Sequence, residues 1–319
     1  MAVRWRFGAM MALSALGGCS HGRCGQDPST KVKVVPKESP PLPTTTDCPA
    51  ALSATRKGGA DTRRYVVPTE PERAAVRAAM RALGAGARQD AETAAAKADF
   101  EIVEVPEMRD VLLVREEPSM RRGGGAYLVR LGSRSTLLVQ APHTFFDQGT
   151  LALGCELFQR AGARAFFIET AHRYKAAEKN EDGEDVADVA HQPTSLYQAA
   201  TEGALDAAPG ATVVQLHGFA TREDDARVVL SRGVKTPGDP LVASAATALK
   251  EVLGAGVLRY PEEDGELGAT TNAQGALVRA RGGRFLHVEM DARLRRDLLA
   301  DAAHRERVMM ALARALGGS

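Results

Sequence analysis

The sequence predicts an α/β domain with a mixed, mostly parallel sheet flanked by helices. Apolar, strand-like runs alternate with helix-patterned segments from about residue 135 onward, which is the succession of a doubly wound sheet. The earlier strand-like runs follow one another without helices between them, as a hairpin-like group does, and this makes the sheet mixed rather than purely parallel. Residues of metal-ligand type also stand where apolar runs end, at His143 and His217. The carboxyl ends of strands form the crevice in which open α/β sheets bind ligands.

Taken in order, the chain opens with Arg4 and Arg6 ahead of an apolar segment, Phe7 to Leu16, and then Leu16-Gly17-Gly18-Cys19. A basic region, a short apolar stretch and small residues make a secretory signal, and the stretch is too short to span a bilayer. Its ending resembles a bacterial lipoprotein lipobox. That resemblance implies lipidation at Cys19, which becomes the mature N-terminus. Ser20 follows, with no Asp at that position, and this fits outer-membrane sorting in a Gram-negative cell. Residues 20–60 are rich in Pro, Thr, Lys and Ser and bury too little apolar surface to offset their ordering entropy, so they read as a disordered tether. Residues 61–319 are expected to be a single α/β domain.

Within that domain Glu70-Pro71-Glu72-Arg73 opens a helix that ends near Gly84, and a second helical piece runs from Asp90 to Ala98. Strand-like runs follow at Phe100–Val105, Val111–Val114 and Ala126–Arg130. Next come a buried run at 135–140, a helix from Leu151 to Phe158, and a second buried run from Ala163 to Thr170. The charged segment from Tyr174 to Asp188 reads as a surface loop. Thr194–Ala207 is helical in pattern, Ala211–Phe219 is a buried strand, and Val228–Ser231 is a short apolar piece. An Ala-rich helix from Leu241 to Leu253, a late strand at Phe285–Met290 and one or two closing helices from Leu298 to Leu316 complete the chain.

The composition is that of an ordinary globular protein, 44% hydrophobic and 25% charged over 319 residues, and a formal net charge of +1 gives no electrostatic argument for nucleic acid. Of the four cysteines, Cys19 is the lipid site, Cys24 and Cys48 can pair in an oxidising compartment, and Cys155 reads as a small buried apolar residue. No Cys-x-x-Cys pair is present, nor a Gly-x-Ser-x-Gly elbow, and Arg121-Arg122-Gly123-Gly124-Gly125 is not followed by the Gly-Lys-Ser/Thr of a phosphate loop.

The strand ends carry His143 with Asp147, then His217, then Glu289. Two histidines and a carboxylate with an open fourth position form a common catalytic zinc set. Zinc acidifies a bound water and polarises a carbonyl, a separate glutamate acts as general base, and a basic residue fixes the substrate carboxylate or the oxyanion. Arg293, four residues after Glu289, is the expected basic residue, and Arg173 after the second buried run is another candidate contact. Asp147 has a second reading as the cap of the following helix. His287 shares a strand face with Glu289 but has no assigned role. His172 and His191 lie in segments that read equally as solvated loops.

Ala141-Pro142-His143 with Asp147-Gln148-Gly149-Thr150 resembles the Ala-Pro-His … Glu-Pro-Gly-Thr signature of the zinc-dependent poly-γ-glutamate hydrolases, which have a carboxypeptidase-like zinc exopeptidase architecture. Val214-Gln215-Leu216-His217-Gly218 is similar to that family's strand ending in its second zinc histidine. Val288-Glu289-Met290-Asp291-Ala292-Arg293 is similar to its glutamate-bearing strand with the arginine after it. The resemblance implies one zinc ion held by His143, Asp147 and His217, with Glu289 as base and Arg293 on the substrate. Two departures stand out: an Asp replaces the ligand Glu, and the gap from His143 is one residue shorter. Glu156 is therefore the alternative to Asp147. That alternative resembles the zinc N-acetylmuramoyl-L-alanine amidases, whose His-Gly-Gly-x-Asp-x-Gly shares the His143/Asp147/Gly149 spacing. The expected protein is thus a lipid-anchored zinc hydrolase in the bacterial cell envelope, facing the periplasm or the surface, whose substrate is a γ-glutamyl or cell-wall-derived peptide. The competing expectation is a binding lipoprotein that keeps the fold without catalysis.

Overall fold

In the computed structural model, which describes residues 47–56, 65–176, 178–181 and 183–318, the hairpin-like group is present as predicted. Strands β1 (Phe100–Glu104), β2 (Val111–Glu116) and β3 (Ala126–Arg130) pair antiparallel in sequence order. They join β4 (Leu137–Ala141), β5 (Ala165–Ile168), β6 (Thr212–Phe219), β7 (Val228–Ser231), β8 (Val257–Arg259) and β9 (Arg284–Asp291) in one sheet of order β1-β2-β3-β5-β4-β6-β9-β7-β8. The four central strands β5-β4-β6-β9 are mutually parallel, and β3 and β7 flank them antiparallel. The sheet is therefore mixed, with its parallel part confined to the centre and the β7–β8 pair.

Helices cover both faces because side chains alternate along each strand. One face, built on Leu137, Val139, Val214, Leu216, Leu286 and Val288, packs against α1 (Asp47–Arg56), α4 (Thr150–Arg160), α6 (Pro240–Leu253), α8 (Ala292–Ala300) and α9 (Ala302–Ala315). The other, built on Leu138, Val213 and Phe285, packs against α2 (Glu70–Gly84), α3 (Arg88–Ala95), α5 (Leu196–Ala207) and α7 (Ala273–Ala280). Each large apolar side chain buried in these layers stabilises the fold by about 1.5–3 kcal/mol. Local chemistry starts the helices. Glu72 Oε2 accepts from Thr69 N–H (2.6 Å) at the head of α2, Ser195 Oγ accepts from Gln198 N–H (3.0 Å) at α5, and Asn272 Oδ1 accepts from Gly275 N–H (2.7 Å) at α7.

After β4 the chain crosses through α4 to β5 on one side, then returns through α5 to β6 on the other. The crossover direction thus reverses at β4, and the carboxyl ends of β4, β6 and β9 flank this switch point.

Two expectations about the N-terminal region are corrected. Asp47–Arg56, assigned by composition to the tether, is helix α1, whose Leu52 is buried in the core. Cys48 is bonded to Cys155 of α4, so it does not pair with Cys24, and Cys155 is half of a disulfide rather than a free apolar residue. The covalent tie joins α1 to α4, and Leu52 in the core and Arg56, which donates to Thr144 O (3.0 Å), add to it. The signal segment, Cys19 and Cys24 lie outside the described residues. Among the described residues, no helix is long and apolar enough to cross a membrane.

Candidate metal centre

His143 and Asp147 meet through the turn that follows β4. Asp147 N–H donates to His143 O (2.7 Å) and Phe146 N–H to the same carbonyl (2.9 Å), forming a single helical turn that stacks residue 147 over residue 143. The chain then reaches α4 through Gly149, whose φ of 96° favours glycine and which itself occupies the capping position. The Asp147 carboxylate is consequently not the cap of α4 and points into the protein. His217 extends from β6 directly beside this turn. His143 Nδ1 and His217 Nδ1 lie 3.5 and 3.6 Å from Asp147 Oδ2, and all three residues are buried. One ligand-type atom from each falls within 4.8 Å of the others.

The far sides of both imidazoles are engaged. His143 Nε2 is 2.8 Å from Asp188 Oδ1, and Asp188 also pairs with Arg173, whose Nη1 lies 3.1 Å from His143 Nδ1. A guanidinium can only donate, so His143 Nδ1 carries its lone pair there and Nε2 carries the proton. His217 Nε2 is 2.8 Å from Gln215 Oε1. Neither oxygen of Asp147 meets a hydrogen-bond donor. His143 Nδ1, His217 Nδ1 and Asp147 Oδ2 therefore face one another, with Arg173 donating to His143 and no donor reaching the carboxylate. Such an arrangement is costly by itself and suits a bound cation, with imidazole and carboxylate as zinc-type donors. A cation would take the place beside His143 Nδ1 that the Arg173 guanidinium occupies.

Burial raises the Asp147 carboxyl, but the two imidazoles outweigh it and hold the group well below the usual carboxylate range. Burial likewise lowers the His143 imidazole, and Asp147 with Asp188 outweigh it and leave it raised. Burial pushes His217 down to about 4 against the pull of Asp147, so this ring is neutral at pH 7.

Glu289 lies opposite His217 in the β6–β9 register and is buried beside the cluster. Burial and the charge of Asp147 push its carboxyl up to about 8, and its Oε2 has no hydrogen-bond partner. His287, on the same face of β9, stacks on His217 with centroids 4.4 Å apart and rings tilted by 37°, and its Nε2 is 3.7 Å from Glu289 Oε1. His217, His287 and Glu289 form a second close group whose ligand-type atoms also lie within 4.8 Å of one another, so His217 is shared by both groups. The His143/Asp147/His217 set is the candidate metal site in which no donor meets the carboxylate. A cavity of about 370 Å³ opens onto it, lined by Arg173, His191, His287, Glu289 and the loop 267–272.

Against the sequence expectations, His143, Asp147, His217, Glu289 and Arg173 are brought together, and two residues are not. Arg293 is exposed and lines a separate depression with Thr221, Arg222 and Asp291. Because α8 starts at Ala292, the helical repeat turns Leu294, Arg295 and Leu298 inward and Arg293 outward. Arg295 is the buried arginine. Its guanidinium reaches Gln148 O (2.9 Å), Phe219 O (3.4 Å) and Met290 O, which ties together the chain ends leaving the loop after β4, strand β6 and strand β9. Gly218 makes room for it, since a Cβ there would stand 1.7 Å from Arg295 Nη1. Glu156 is buried on α4 but engaged by Arg160 (2.8 Å) and Arg305 (3.5 Å), so it is not the second metal ligand.

In comparisons with known proteins, no protein-family model matches the chain and no curated protein sequence matches it. Solved structures similar to it include a metallo-carboxypeptidase from Burkholderia cenocepacia (13% identity over 72% of this chain and 68% of the other, TM-score 0.39). A bacteriophage poly-γ-glutamate hydrolase is similar at 12% identity over 62% of this chain and 88% of the other, with a TM-score of 0.36. A gene product of Agrobacterium tumefaciens is similar at 15% identity over 58% and 89%, with a TM-score of 0.39.

Sequence reasoning missed Asp188 and Gln215. Asp188 closes a charged segment, and its only sequence signal is the buried apolar pair Val189-Ala190 immediately after it. Gln215 shows as a polar residue inside an apolar run, two positions before His217 and therefore on the same strand face. His191 lines the cavity, and His172 is not among its lining residues. His191 Nδ1 lies 3.2 Å from Thr271 Oγ1, and His172 packs against Phe146 and Tyr174.

Proposed function

We propose that the domain is a zinc-dependent hydrolase of amide or peptide bonds, acting on γ-glutamyl or related peptides. The observation that carries this reading is the convergence of His143 Nδ1, His217 Nδ1 and Asp147 Oδ2 in a buried site where no donor satisfies the carboxylate. A zinc ion bound there supplies a Lewis acid for the scissile carbonyl and lowers the pKa of water towards neutrality. A cation held by the set would favour the ionised form of the buried Glu289, which as a carboxylate takes the proton of the attacking water and passes it to the leaving amine. Arg173, at the cavity wall, binds a carboxylate of the substrate. The small polar cavity suits a peptide backbone with an acidic group. The amidase reading loses its support with Glu156, which is held by Arg160 and Arg305.

The same proposal places the domain in the cell envelope, carried by a lipid on Cys19. The Cys48–Cys155 disulfide supports an oxidising compartment.

Metal analysis of the purified protein is expected to give about one zinc per chain, lost in His143→Ala and His217→Ala. Glu289→Gln should retain the metal and lose hydrolysis by at least about a hundredfold. Activity that survives Glu289→Gln removes the base assignment, and a wild-type chain that binds no zinc removes the enzyme. Assays on poly-γ-glutamate and on muropeptides separate the substrate classes.

A further inference from the structure

Behind His217 lies a run of buried side-chain amides that the catalytic reading does not use. Gln140 and Gln215 stand side by side in the β4–β6 register, in the middle of apolar strands, and both are fully buried. Their hydrogen bonds have a fixed direction, because each branch ends on a main-chain group that can act in only one way. Thr201 Oγ1 donates to Tyr197 O (2.8 Å), so its lone pair accepts from Gln140 Nε2 (2.9 Å). Gln140 Oε1 is then left to accept from Gln215 Nε2 (2.9 Å). On a second branch, Gln274 Nε2 donates to Val189 O (2.9 Å), so Gln274 Oε1 accepts from Gln215 Nε2 (3.2 Å). On a third, Asn272 Oδ1 accepts from Gly275 N–H (2.7 Å), so its Nδ2 donates to Gln215 Oε1 (2.6 Å). All three branches agree that Gln215 presents its oxygen, and not its NH₂, to His217 Nε2 at 2.8 Å.

We infer that Gln215 is a positioning residue that locks His217 as the Nε2–H tautomer and so keeps the Nδ1 lone pair aimed at Asp147 and the metal position. The inference rests on the metal-site reading above. An acceptor behind a ligating imidazole fixes its tautomer and orientation, and here the acceptor is itself fixed by Gln140, Gln274 and Asn272. Each of the two lone pairs on Gln215 Oε1 is used, one by Asn272 and one by His217, and each of its amide hydrogens has its own acceptor. A rotation of the Gln215 amide would set NH₂ against Asn272 Nδ2 and oxygen against the oxygens of Gln140 and Gln274, three mismatches in a buried site whichever tautomer His217 adopts. Asn272 also belongs to the loop that walls the cavity and caps α7, so the ligand and the cavity wall share one anchor.

The test has a readout independent of catalysis and of metal. In metal-free, ¹⁵N-histidine-labelled protein at neutral pH, long-range ¹H–¹⁵N correlation should show His217 as the Nε2–H tautomer. An Nδ1–H tautomer overturns the inference, and this holds without any variant. Gln215→Leu removes the acceptor and should weaken zinc binding by about ten- to a hundredfold in chelator competition. Gln215→Glu keeps an acceptor for His217 and should restore most of that loss, even where it lowers stability. Unchanged zinc affinity in folded Gln215→Leu overturns the inference, as does a Glu variant no better than Leu. The metal reading fails separately: a wild-type chain with the Nε2–H tautomer that binds no zinc refutes the metal site but leaves the lock in place.

Discussion

Glu169, just past β5, is buried with Oε1 accepting from the amides of Thr170 (2.6 Å) and Ala171 (3.0 Å) while Oε2 has no partner. Burial, reinforced by the nearby carboxylate of Glu116, raises its pKa well above the ordinary value of 4.5. The unfolded chain releases this proton near 4.5 while the folded chain holds it. The contribution to stability is therefore complete below that pH and is lost as the pH rises through the folded value. Glu169→Gln keeps an oxygen for the two amides and removes the charge, so its Tm should gain on that of the wild type as the pH is raised from 5 to 8. A Tm difference that stays constant over that interval would show that Glu169 releases its proton as freely in the folded chain as in the unfolded one. The same scale separates the legible from the illegible parts of the site. His143, His217 and Glu289 each interrupt an apolar run, where a polar residue needs a reason, so each is visible from its neighbours in sequence. Asp188 reaches His143, 45 residues away, and Gln215 is oriented by Gln140, Asn272 and Gln274, so what each touches is decided by tertiary packing.

At the scale of elements, the strands β4, β6 and β9 were legible because both faces are covered and their runs are correspondingly apolar. Strand β8 was not, since three residues, Val257–Arg259, are too few to show a period. Helix α7 was missed for a related reason: Ala273–Ala280 contains a glycine and buries only Gln274, Gly275 and Val278, which leaves almost no apolar stripe. Arg295 rather than the expected Arg293 faces inward because the Asp291 cap sets the phase of α8 (Leu294 N–H to Asp291 Oδ1, 2.5 Å), which spacing from Glu289 does not reveal. Arg295 accordingly acts on elements, joining α8 to the chain after β4 and to the ends of β6 and β9. Arg295→Met should lower stability by about 3 kcal/mol, read as a shift in the urea midpoint, because charge-assisted bonds to buried carbonyls are lost together. A shift within error would mean that those carbonyls find water instead.

For the molecule as a whole, the described residues form one compact unit, and the Cys48–Cys155 bond joins positions 107 apart in sequence within it. Cross-linking positions so far apart restricts the unfolded chain and contributes about 3–5 kcal/mol. Replacing both cysteines by alanine should lower the unfolding free energy by that amount and release α1 to proteolysis before the rest of the domain. Equal protease resistance in the double variant would show that α1 is held by packing alone. The sheet order has another consequence, one of timing. Strand β9 is the last to be synthesised, yet it lies between β6 and β7 and carries Glu289. Until residues 284–291 are made, the emerging chain exposes an unpaired edge of β6 and has no strand to connect β7 and β8 to the rest. The sheet is thus completed from its middle, after both of its edges are made, and a chain interrupted before residue 284 ends without either the closing strand or Glu289.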